Sequence, residues 1–215
     1  MEFGLKGRKV AILATDGVEQ VELEEPRRAL DAAGAVTHLI APKEGSIQAM
    51  NRDEKGACIP VDFTLADVRA SDYDALLLPG GVANPDKLRT EPLAVQFARE
   101  FMLAERPVAA ICHGPWLLVE AGAVAGRTLT SWPSLQTDIR NAGGEWVDEA
   151  CRIDDKLITS RKPDDIPAFN AAIVREFGNR IDEARVDALS EQSFPASDPP
   201  STTPTAIGGE GAARS

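Results

Sequence analysis

Short apolar runs that end abruptly near turn-forming residues constrain the fold of this chain more than any other feature. Three such runs are Lys9–Ala14, Ala75–Leu78 and Pro107–Ile111, and each is followed within a few residues by glycine or proline. A continuous apolar run of this length is typical of a parallel strand that is buried on both faces of its sheet. The pattern therefore predicts a protein of the α/β class.

Helical patterns separate the apolar runs. One helix is predicted over Pro26–Ala33, with Pro26 in its first turn and Gly34 at its end. Apolar side chains recur with helical spacing over Pro92–Met102, and a last helix is predicted over Ile166–Phe177. Alternating strands and helices predict a flavodoxin-like, doubly wound parallel sheet with helices on both faces, an α/β/α sandwich. A small hairpin is predicted within Ser46–Asp62.

A change of composition near residue 191 divides the chain. Residues 1–190 are predicted to form a single domain, because 43% apolar content in a chain of 215 residues is enough for one core. Residues 191–215 mix prolines with serine, threonine and glycine, so they have little apolar surface to bury. This tail is predicted to be disordered.

Charge and cysteine content exclude several classes of protein. A formal net charge of −11 repels phosphate backbones, so nucleic acid is not a predicted partner. No run approaches the roughly 18 consecutive apolar residues of a membrane span, and the first residues do not resemble a signal peptide. Three cysteines at irregular spacing indicate free thiols in a reducing compartment, which predicts a cytoplasmic protein without a membrane partner.

Cys112 follows the apolar run that ends at Ile111, and it precedes a helix predicted to begin at Pro115. Ligands of open parallel sheets bind beyond the carboxyl ends of the strands, which is where this cysteine is expected. A following helix N-terminus favours an anion, so the pKa of the thiol is expected to be lowered. The strand-turn-helix arrangement is that of a nucleophile elbow. The alternative is that Cys112 is a small buried apolar residue.

The two histidines limit the mechanisms that are possible. No histidine follows His113 in the chain, which excludes the triads of α/β-hydrolases, papain-like enzymes and glutamine amidotransferases. His113 is therefore the candidate base, although neighbouring side chains normally diverge and a local backbone twist is required. His38 lies in a predicted strand and is interpreted as a packing residue. Cys58 and Cys151 lack the elbow context and are interpreted as structural or incidental.

Several motifs together resemble the ThiJ/PfpI superfamily, and within it the PfpI-like branch of intracellular proteases and protein deglycases. The resemblance covers roughly residues 8–178 and is specific as a combination. The motifs that carry it are Val18–Leu23, Leu78–Gly81, Ala110–Pro115, Thr130–Trp132, Gly144–Asp148 and Thr159–Asp165.

The resemblance implies a role for each matching position. Cys112 corresponds to the family nucleophile and His113 to its partner, and Glu19 corresponds to the glutamate that contacts the cysteine sulfur. The backbone N–H groups of Gly81 and His113 correspond to oxyanion donors. Asp86 corresponds to an acid that reaches across a subunit interface to orient the histidine, although here it follows a one-residue insertion.

Neighbouring polar and aromatic residues have more ordinary interpretations. Trp116 is assigned to substrate binding, and it and Trp132 are interpreted as pocket wall or core. Glu22 is interpreted as a solvated residue at a helix start, where the helix dipole favours acids. Lys162 and Arg161 are interpreted as surface charges.

Three functions are compatible with these residues. The first is a deglycase or cofactor-free glyoxalase that acts through Cys112 on glyoxal, methylglyoxal or their adducts with amines and thiols. The second is an intracellular cysteine peptidase of PfpI type. The third is a non-catalytic redox sensor that responds through oxidation of Cys112. No cofactor and no metal site are predicted, since the sequence has no phosphate loop, dinucleotide motif or metal-ligand cluster. The resemblance also implies a homodimer or higher homo-oligomer.

Overall fold

The structure, a computed structural model, describes residues 4–178. The predicted tail, 191–215, and residues 179–190 of the predicted domain lie outside the described residues. The strands are β1 (Lys9–Leu13), β2 (Val18–Glu19), β3 (Val36–Ala41), β4 (Ser46–Asn51), β5 (Glu54–Pro60), β6 (Phe63–Thr64), β7 (Ala75–Leu78), β8 (Val108–Ile111), β9 (Thr128–Leu129), β10 (Glu145–Trp146), β11 (Cys151–Asp154) and β12 (Leu157–Ser160). The helices are α1 (Gln20–Ala32), α2 (Ala83–Leu88), α3 (Pro92–Leu103), α4 (Pro115–Glu120), α5 (Gln136–Asn141) and α6 (166–178).

A seven-stranded sheet forms the centre of the described chain, in the order β11-β12-β8-β7-β1-β3-β6. Neighbouring strands are parallel except for the edge strand β11, which is antiparallel to β12. Strand order reverses direction around β1, because β3 lies on one side of it and β7 on the other. Ligands of doubly wound folds bind at such a switch point, beyond the carboxyl ends of the strands.

The core consists of two layers on opposite faces of this sheet. In β1, Val10 and Ile12 belong to the layer that α1 and α6 cover, whereas Ala11 and Leu13 belong to the layer covered by α3, α4 and α5. All four side chains are inaccessible to solvent. A strand buried on both faces cannot show an alternation of polar and apolar residues, which is why the runs are continuously apolar. The predicted flavodoxin-like α/β fold with helices on both faces is confirmed.

Helix α1 begins earlier than predicted, and this shift affects the site. It starts at Gln20 rather than near Pro26, so that Pro26 lies inside the helix. Proline lacks the N–H that would bond one turn back, and the helix nevertheless continues to Ala32. The prediction was wrong because it placed this proline in its favoured position in the first turn. The earlier start brings Glu22 into the first helical turn.

The predicted hairpin is present and lies within the predicted range, as strands β4 and β5. Strands β4 and β5 pair antiparallel around a turn at Arg52 and Asp53, and β2 joins β4 to form a separate three-stranded sheet. The backbone N–H of Gly17 donates to the carbonyl of Gln48 (2.8 Å), which ties the hairpin to the loop after β1. Across residues 4–178, no helix has the length and apolar character required to cross a membrane.

Candidate active site

Cys112 occupies a sharp turn between β8 and α4. Its backbone has φ of +61°, a left-handed conformation that costs a non-glycine residue about 1–2 kcal/mol. Two backbone hydrogen bonds hold the turn. The Cys112 N–H donates to the carbonyl oxygen of Ser160 (3.0 Å), and the Cys112 carbonyl accepts from the N–H of Trp132 (2.8 Å). At Gly114 a Cβ atom would lie 2.5 Å from the carbonyl oxygen of Leu78, so the chain can only pass there as glycine. The elbow that the sequence predicts is present.

The twist at this turn brings His113 back toward its neighbour. Nδ1 of His113 lies 3.2 Å from Sγ of Cys112, although adjacent side chains normally diverge. The imidazole packs against Trp116 (ring centroids 5.3 Å apart) and stacks on Trp132 (5.7 Å, 23° between the planes). Burial lowers the pKa of His113 to about 4, since the charged ring would lose its solvation. His113 is therefore a neutral base at physiological pH.

Glu22 is the carboxyl that lies beside the cysteine, and the assignment of this position to Glu19 is wrong. The Glu22 side chain is fully buried and interacts with the side chain of Cys112. Its Oε2 accepts from the backbone N–H of Gly80 (3.0 Å), while Oε1 is buried without a conventional hydrogen-bond partner in the described part of the chain. Burial raises the pKa of Glu22 to about 8, so at neutral pH the carboxyl is mostly protonated and can donate a hydrogen bond.

The position of Glu22 has a simple origin in helix geometry. Buried residues of α1 are Glu22, Leu23, Pro26 and Leu30, which form one stripe with helical spacing. Glu22 is thus in phase with the apolar face, and the interpretation as a solvated helix-start residue is wrong. The helical spacing of Glu22 relative to these apolar residues is the sequence signal that could have identified it as buried. Glu19, in contrast, is the N-cap residue of α1 and accepts from the backbone N–H of Arg52 (3.0 Å) in the hairpin turn.

Two glycines after β7 allow the cysteine, the carboxyl and the loop to approach each other. A Cβ on Gly80 would lie 2.6 Å from both the Cβ of Cys112 and Oε2 of Glu22. A Cβ on Gly81, where φ is +77°, would lie 2.4 Å from the carbonyl oxygen of Gly17. The backbone N–H groups of Gly81 and His113 hydrogen-bond the Cys112 side chain. Both groups therefore act on the sulfur, and their part as oxyanion donors toward a substrate stays a prediction.

The electrostatics of Cys112 differ from the prediction. Burial raises the pKa of the Cys112 thiol, the negative charge that Glu22 carries when ionised raises it further, and the two N–H groups oppose the rise. We expected the N-terminus of α4 to lower the pKa of this thiol. That prediction was wrong, because the elbow turns the sulfur inward and leaves Cys112 only 6% exposed. A thiol that is neutral at rest needs a base at the moment of reaction, and Nδ1 of His113 is in place for that role.

Two other predicted site residues lie elsewhere. Asp86 is in α2, 64% exposed, and its closest ionic partner is Arg89 at 3.9 Å; within the described chain it does not bond His113. Trp116 packs behind the histidine and donates its indole N–H to Asp138 (2.7 Å). Trp116 does not line the cleft, and the assignment of Trp116 to substrate binding is wrong. Trp132 lines the cleft instead, in agreement with its interpretation as pocket wall.

A cleft of about 710 Å³ opens above the sulfur. Its lining includes Cys112 and His113 at the base and residues of three surrounding loops. The hairpin turn contributes Met50, Arg52 and Asp53, the α2 entry contributes Val82 and Ala83, and the loop after β12 contributes Lys162, Pro163 and Asp164. Lys162 thus lines the site, contrary to its interpretation as a surface charge, while it also pairs with Asp164 (3.1 Å).

The remaining predictions concern residues away from the cleft. His38 bonds the hydroxyl of Tyr73 (3.3 Å) and packs edge-on against Phe63, which confirms it as a packing residue. Cys58 is exposed on β5, and burial raises the pKa of Cys151 on β11 to about 11. Arg161 pairs with Asp148 and Asp165 rather than with the cleft. Among residues 4–178, no group of three His, Cys, Asp or Glu side chains has the arrangement of a metal site.

The fold and the site together define an α/β protein with a cysteine at a strand-to-helix elbow, flanked by a histidine and a buried carboxyl. The chain belongs to the DJ-1/PfpI family, whose model matches residues 8–176. It is 44% identical over 165 residues to general stress protein 18 of Bacillus subtilis, covering 76% of this chain and 94% of the relative. It is 40% identical over 172 residues to protein/nucleic acid deglycase 2 of Escherichia coli, covering 80% and 98%.

A solved structure supports the same assignment. The crystal structure of DJ-1beta from Drosophila melanogaster superposes with a TM-score of 0.73 at 27% identity, covering 85% of this chain and 98% of that one. The match extends over nearly the whole solved chain, so the likeness concerns the complete fold rather than a shared fragment. The predicted membership in the ThiJ/PfpI superfamily is confirmed.

Proposed function

We propose that this protein is a cysteine-dependent enzyme that removes glyoxal and methylglyoxal, either free or as adducts with amines and thiols. The observation that carries the proposal is the grouping of the Cys112 thiol, the neutral imidazole of His113 and the buried carboxyl of Glu22 at the base of one open cleft. The 40% identity to a protein named as a deglycase supports it.

The first step is attack of the sulfur on the aldehyde carbon. Nδ1 of His113 takes the S–H proton while the C–S bond forms, and the resulting alkoxide takes a proton to give a hemithioacetal. With an amine or thiol adduct, the bond from the aldehyde carbon to that amine or thiol breaks, and the leaving group departs with a proton. In this proposal the backbone N–H groups of Gly81 and His113, which hydrogen-bond the Cys112 side chain, stabilise the transient negative charge.

The second step converts the hemithioacetal to a hydroxy acid. A proton moves from the former aldehyde carbon to the neighbouring carbonyl carbon, which gives a thioester, and water then cleaves the C–S bond. One carbon is oxidised while its neighbour is reduced, so methylglyoxal plus water gives lactate, and glyoxal plus water gives glycolate. The balance needs no outside oxidant or reductant.

Glu22 supports the sulfur in both steps. A protonated carboxyl donates a hydrogen bond, and the acceptor available to it is the sulfur, whose negative charge increases when the S–H proton leaves. Because the pKa of Glu22 is raised to about 8, the donor form predominates at neutral pH. Glu19 has a separate role in this proposal: it holds the hairpin turn that forms one side of the cleft.

The proposal includes a cytoplasmic setting and self-association. Cys58, Cys112 and Cys151 are all free thiols, as expected in a reducing compartment. Asp86 is 64% exposed, so it is available to a second copy of the chain in a homodimer or larger homo-oligomer. No nucleic acid partner and no membrane partner are proposed.

Release of lactate from methylglyoxal tests the proposal directly. Wild type, Cys112→Ala and Cys58→Ala are compared, with and without N-acetylcysteine or N-acetyllysine as acceptor. Cys112→Ala should lose turnover entirely, whereas Cys58→Ala, which removes an exposed thiol outside the cleft, should retain the wild-type rate. Full activity in Cys112→Ala would exclude the mechanism.

The same variants separate the two alternative functions. Sustained cleavage of a fluorogenic peptide that is lost in Cys112→Ala would favour a peptidase, although Asp86 does not complete a triad within the described chain. Selective oxidation of Cys112 by mild peroxide, followed by mass spectrometry, would favour a redox sensor. The raised pKa of Cys112 argues for slow oxidation, because the thiolate is the reactive form.

A further inference from the structure

Asn84 is a fully buried polar side chain that the mechanism above does not use. It lies in the first turn of α2, and none of its surface is exposed, so a second copy of the chain cannot contact it. Its Oδ1 accepts from the backbone N–H of Thr15 (2.7 Å), and its Nδ2 donates to the carbonyl oxygens of Pro79 and Gly80 (3.0 Å each). The amide thus joins the loop after β1 to the loop after β7.

We propose that Asn84 is a positioning residue that aims the backbone N–H groups of the loop after β7 at the buried carboxyl and at the cysteine sulfur. Asn84 does not line the cleft, so it acts through these N–H groups and not on the substrate. The catalytic meaning of this role rests on the function proposed above, whereas the contact itself can be tested without turnover.

Peptide geometry converts a hold on a carbonyl into a direction for an N–H group. In a trans peptide the carbonyl of one residue and the N–H of the next lie in one plane and point to opposite sides. Asn84 holds the carbonyl of Pro79, and the N–H on the other side of that peptide belongs to Gly80. This N–H donates to Oε2 of Glu22 (3.0 Å). The first contact of the amide therefore directs the donor that binds the buried carboxyl.

The second contact acts on the next peptide in the same way. Asn84 holds the carbonyl of Gly80, which also accepts from the N–H of Glu19 (3.4 Å). The N–H opposite that carbonyl belongs to Gly81 and hydrogen-bonds the Cys112 side chain. One side chain thus directs two consecutive donors, one toward the acid and one toward the sulfur.

The loop after β7 needs such a clamp because its own residues do not restrict it. Gly81 has φ of +77°, a region that glycine enters without strain, and Gly80 is also free of a side chain. Side chains are excluded at both positions, because Cys112 and the loop after β1 lie too close. The two peptide planes are therefore fixed by groups from outside the loop.

The helix that carries Asn84 is itself attached to the loop after β1. A Cβ on Gly17 would lie 2.6 Å from the Cβ of Ala83, so this loop and the start of α2 are in direct contact. Lys87 donates from Nζ to the carbonyl of Asp16 (3.2 Å). Movement of Asn84 away from the two carbonyls would therefore also separate α2 from this loop.

Two substitutions remove the donors of Asn84. Asn84→Asp has nearly the same shape and still accepts from the N–H of Thr15, but its carboxyl offers at most one hydrogen to the two carbonyls. Asn84→Ala removes all three hydrogen bonds without adding a charge. Arg106→Met is the matched control, because Arg106 also donates to two backbone carbonyls, those of Ala70 and Tyr73, but it precedes β8, at the end of the sheet opposite the cleft.

Nuclear magnetic resonance of the Glu22 carboxyl tests the contact without turnover. The protein is labelled with 13C at its glutamate carboxyl groups, and Glu22→Gln identifies the Glu22 signal by its loss. In Asn84→Ala the pKa of Glu22 should rise from about 8 by about one pH unit, because the carboxylate loses a donated hydrogen bond. A site that had only loosened would admit water, which lowers the pKa toward 4.5. An unchanged or lowered pKa in Asn84→Ala, or an equal rise in Arg106→Met, would overturn the proposal.

Kinetics of the full-length protein provide the second readout. In the release of lactate from methylglyoxal, Asn84→Asp should lower kcat about ten- to hundred-fold with little change in KM, since a misdirected donor no longer stabilises the transition state. Arg106→Met should retain the wild-type kcat even where its stability is reduced. A wild-type kcat in Asn84→Asp would contradict the proposed role. If Cys112→Ala were as active as wild type, the proposed function would fail, while the carboxyl titration would still decide whether Asn84 holds the loop.

Discussion

Replacing Glu22 by glutamine should remove a large pH dependence from the stability of this protein. Glu22 is fully buried, and its pKa rises from 4.5 to about 8 on folding. Between these two values the folded state binds a proton that the unfolded state has released. The free energy of unfolding of the wild type should therefore decrease as pH rises through this window.

The size of the effect follows from the shift. About 3.5 pH units separate the two values, and each unit corresponds to about 1.36 kcal/mol, so the whole loss is about 5 kcal/mol, of which about 4 kcal/mol falls between pH 4.5 and pH 8. Glutamine has nearly the same shape and can still accept from the N–H of Gly80, but it does not titrate. The contribution of this position should thus be constant in Glu22→Gln.

His113 acts in the opposite direction over part of this range. Its pKa falls from 6.5 to about 4 on folding, so its contribution to stability is lost as pH decreases through that window. The two slopes nearly cancel between about pH 4.5 and 6.5, and the fall due to Glu22 should be visible between about pH 6.5 and 8. The difference between wild type and Glu22→Gln removes the histidine contribution, which is common to both proteins.

The assay is equilibrium urea unfolding at intervals of half a pH unit from pH 4.5 to pH 8, with the difference in free energy plotted against pH. Over this range the difference curve should change by about 4 kcal/mol in favour of Glu22→Gln at the alkaline end. Glu19→Gln is the control, since it changes a neighbouring carboxyl at the hairpin turn and should leave the wild-type slope in place. A difference curve that varies by less than about 1 kcal/mol would refute the account of Glu22 as a buried, protonated carboxyl.

Three further predictions follow from the same geometry. Gly80→Ala should lower the free energy of unfolding in urea by about 1–3 kcal/mol, because the new Cβ would lie 2.6 Å from the side chains of Cys112 and Glu22. Gly4→Ala is the control: Gly4 has open space around it, so this change should have little effect in the same titration. Arg52→Gly should raise the stability by about 0.5–1 kcal/mol in thermal unfolding, because Arg52 has φ of +57°; a clear destabilisation would show that this conformation is not strained. The difference in free energy of unfolding between His113→Gln and the wild type should change by about 3 kcal/mol in favour of His113→Gln as pH falls from 6.5 to 4, and a difference that stays constant would contradict a buried neutral imidazole.

Much of the site could be predicted from the sequence, because its main elements depend on local chemistry. A short apolar run followed by Cys112 and Gly114 indicates a strand that turns sharply into a helix, and the structure has that turn. The absence of a later histidine made His113 the candidate base, and its Nδ1 lies 3.2 Å from the sulfur. The motif after β7 indicated the two glycines that allow a close approach.

The errors arose where the outcome depended on packing between distant segments. The choice between Glu19 and Glu22 depended on where α1 begins, and Gln20 rather than Pro26 is its first residue. The cross-subunit role of Asp86 stays a prediction because it concerns a second copy of the chain, and Asp86 lies on α2, a helix that the sequence pattern did not indicate. The contact between Asn84 and Thr15 joins residues that no local pattern connects.

The sequence by itself determined the alternation of buried strands and helices, the elbow at Cys112 and the histidine beside it. These properties follow from periodicity, turn-forming residues and adjacency along the chain, which act over a few residues. Only the tertiary structure decided which carboxyl lies beside the sulfur, how deeply the thiol is buried and which residues line the cleft. Ionisation in a buried site depends on solvation and on partners brought from remote parts of the chain, and folding alone brings them together.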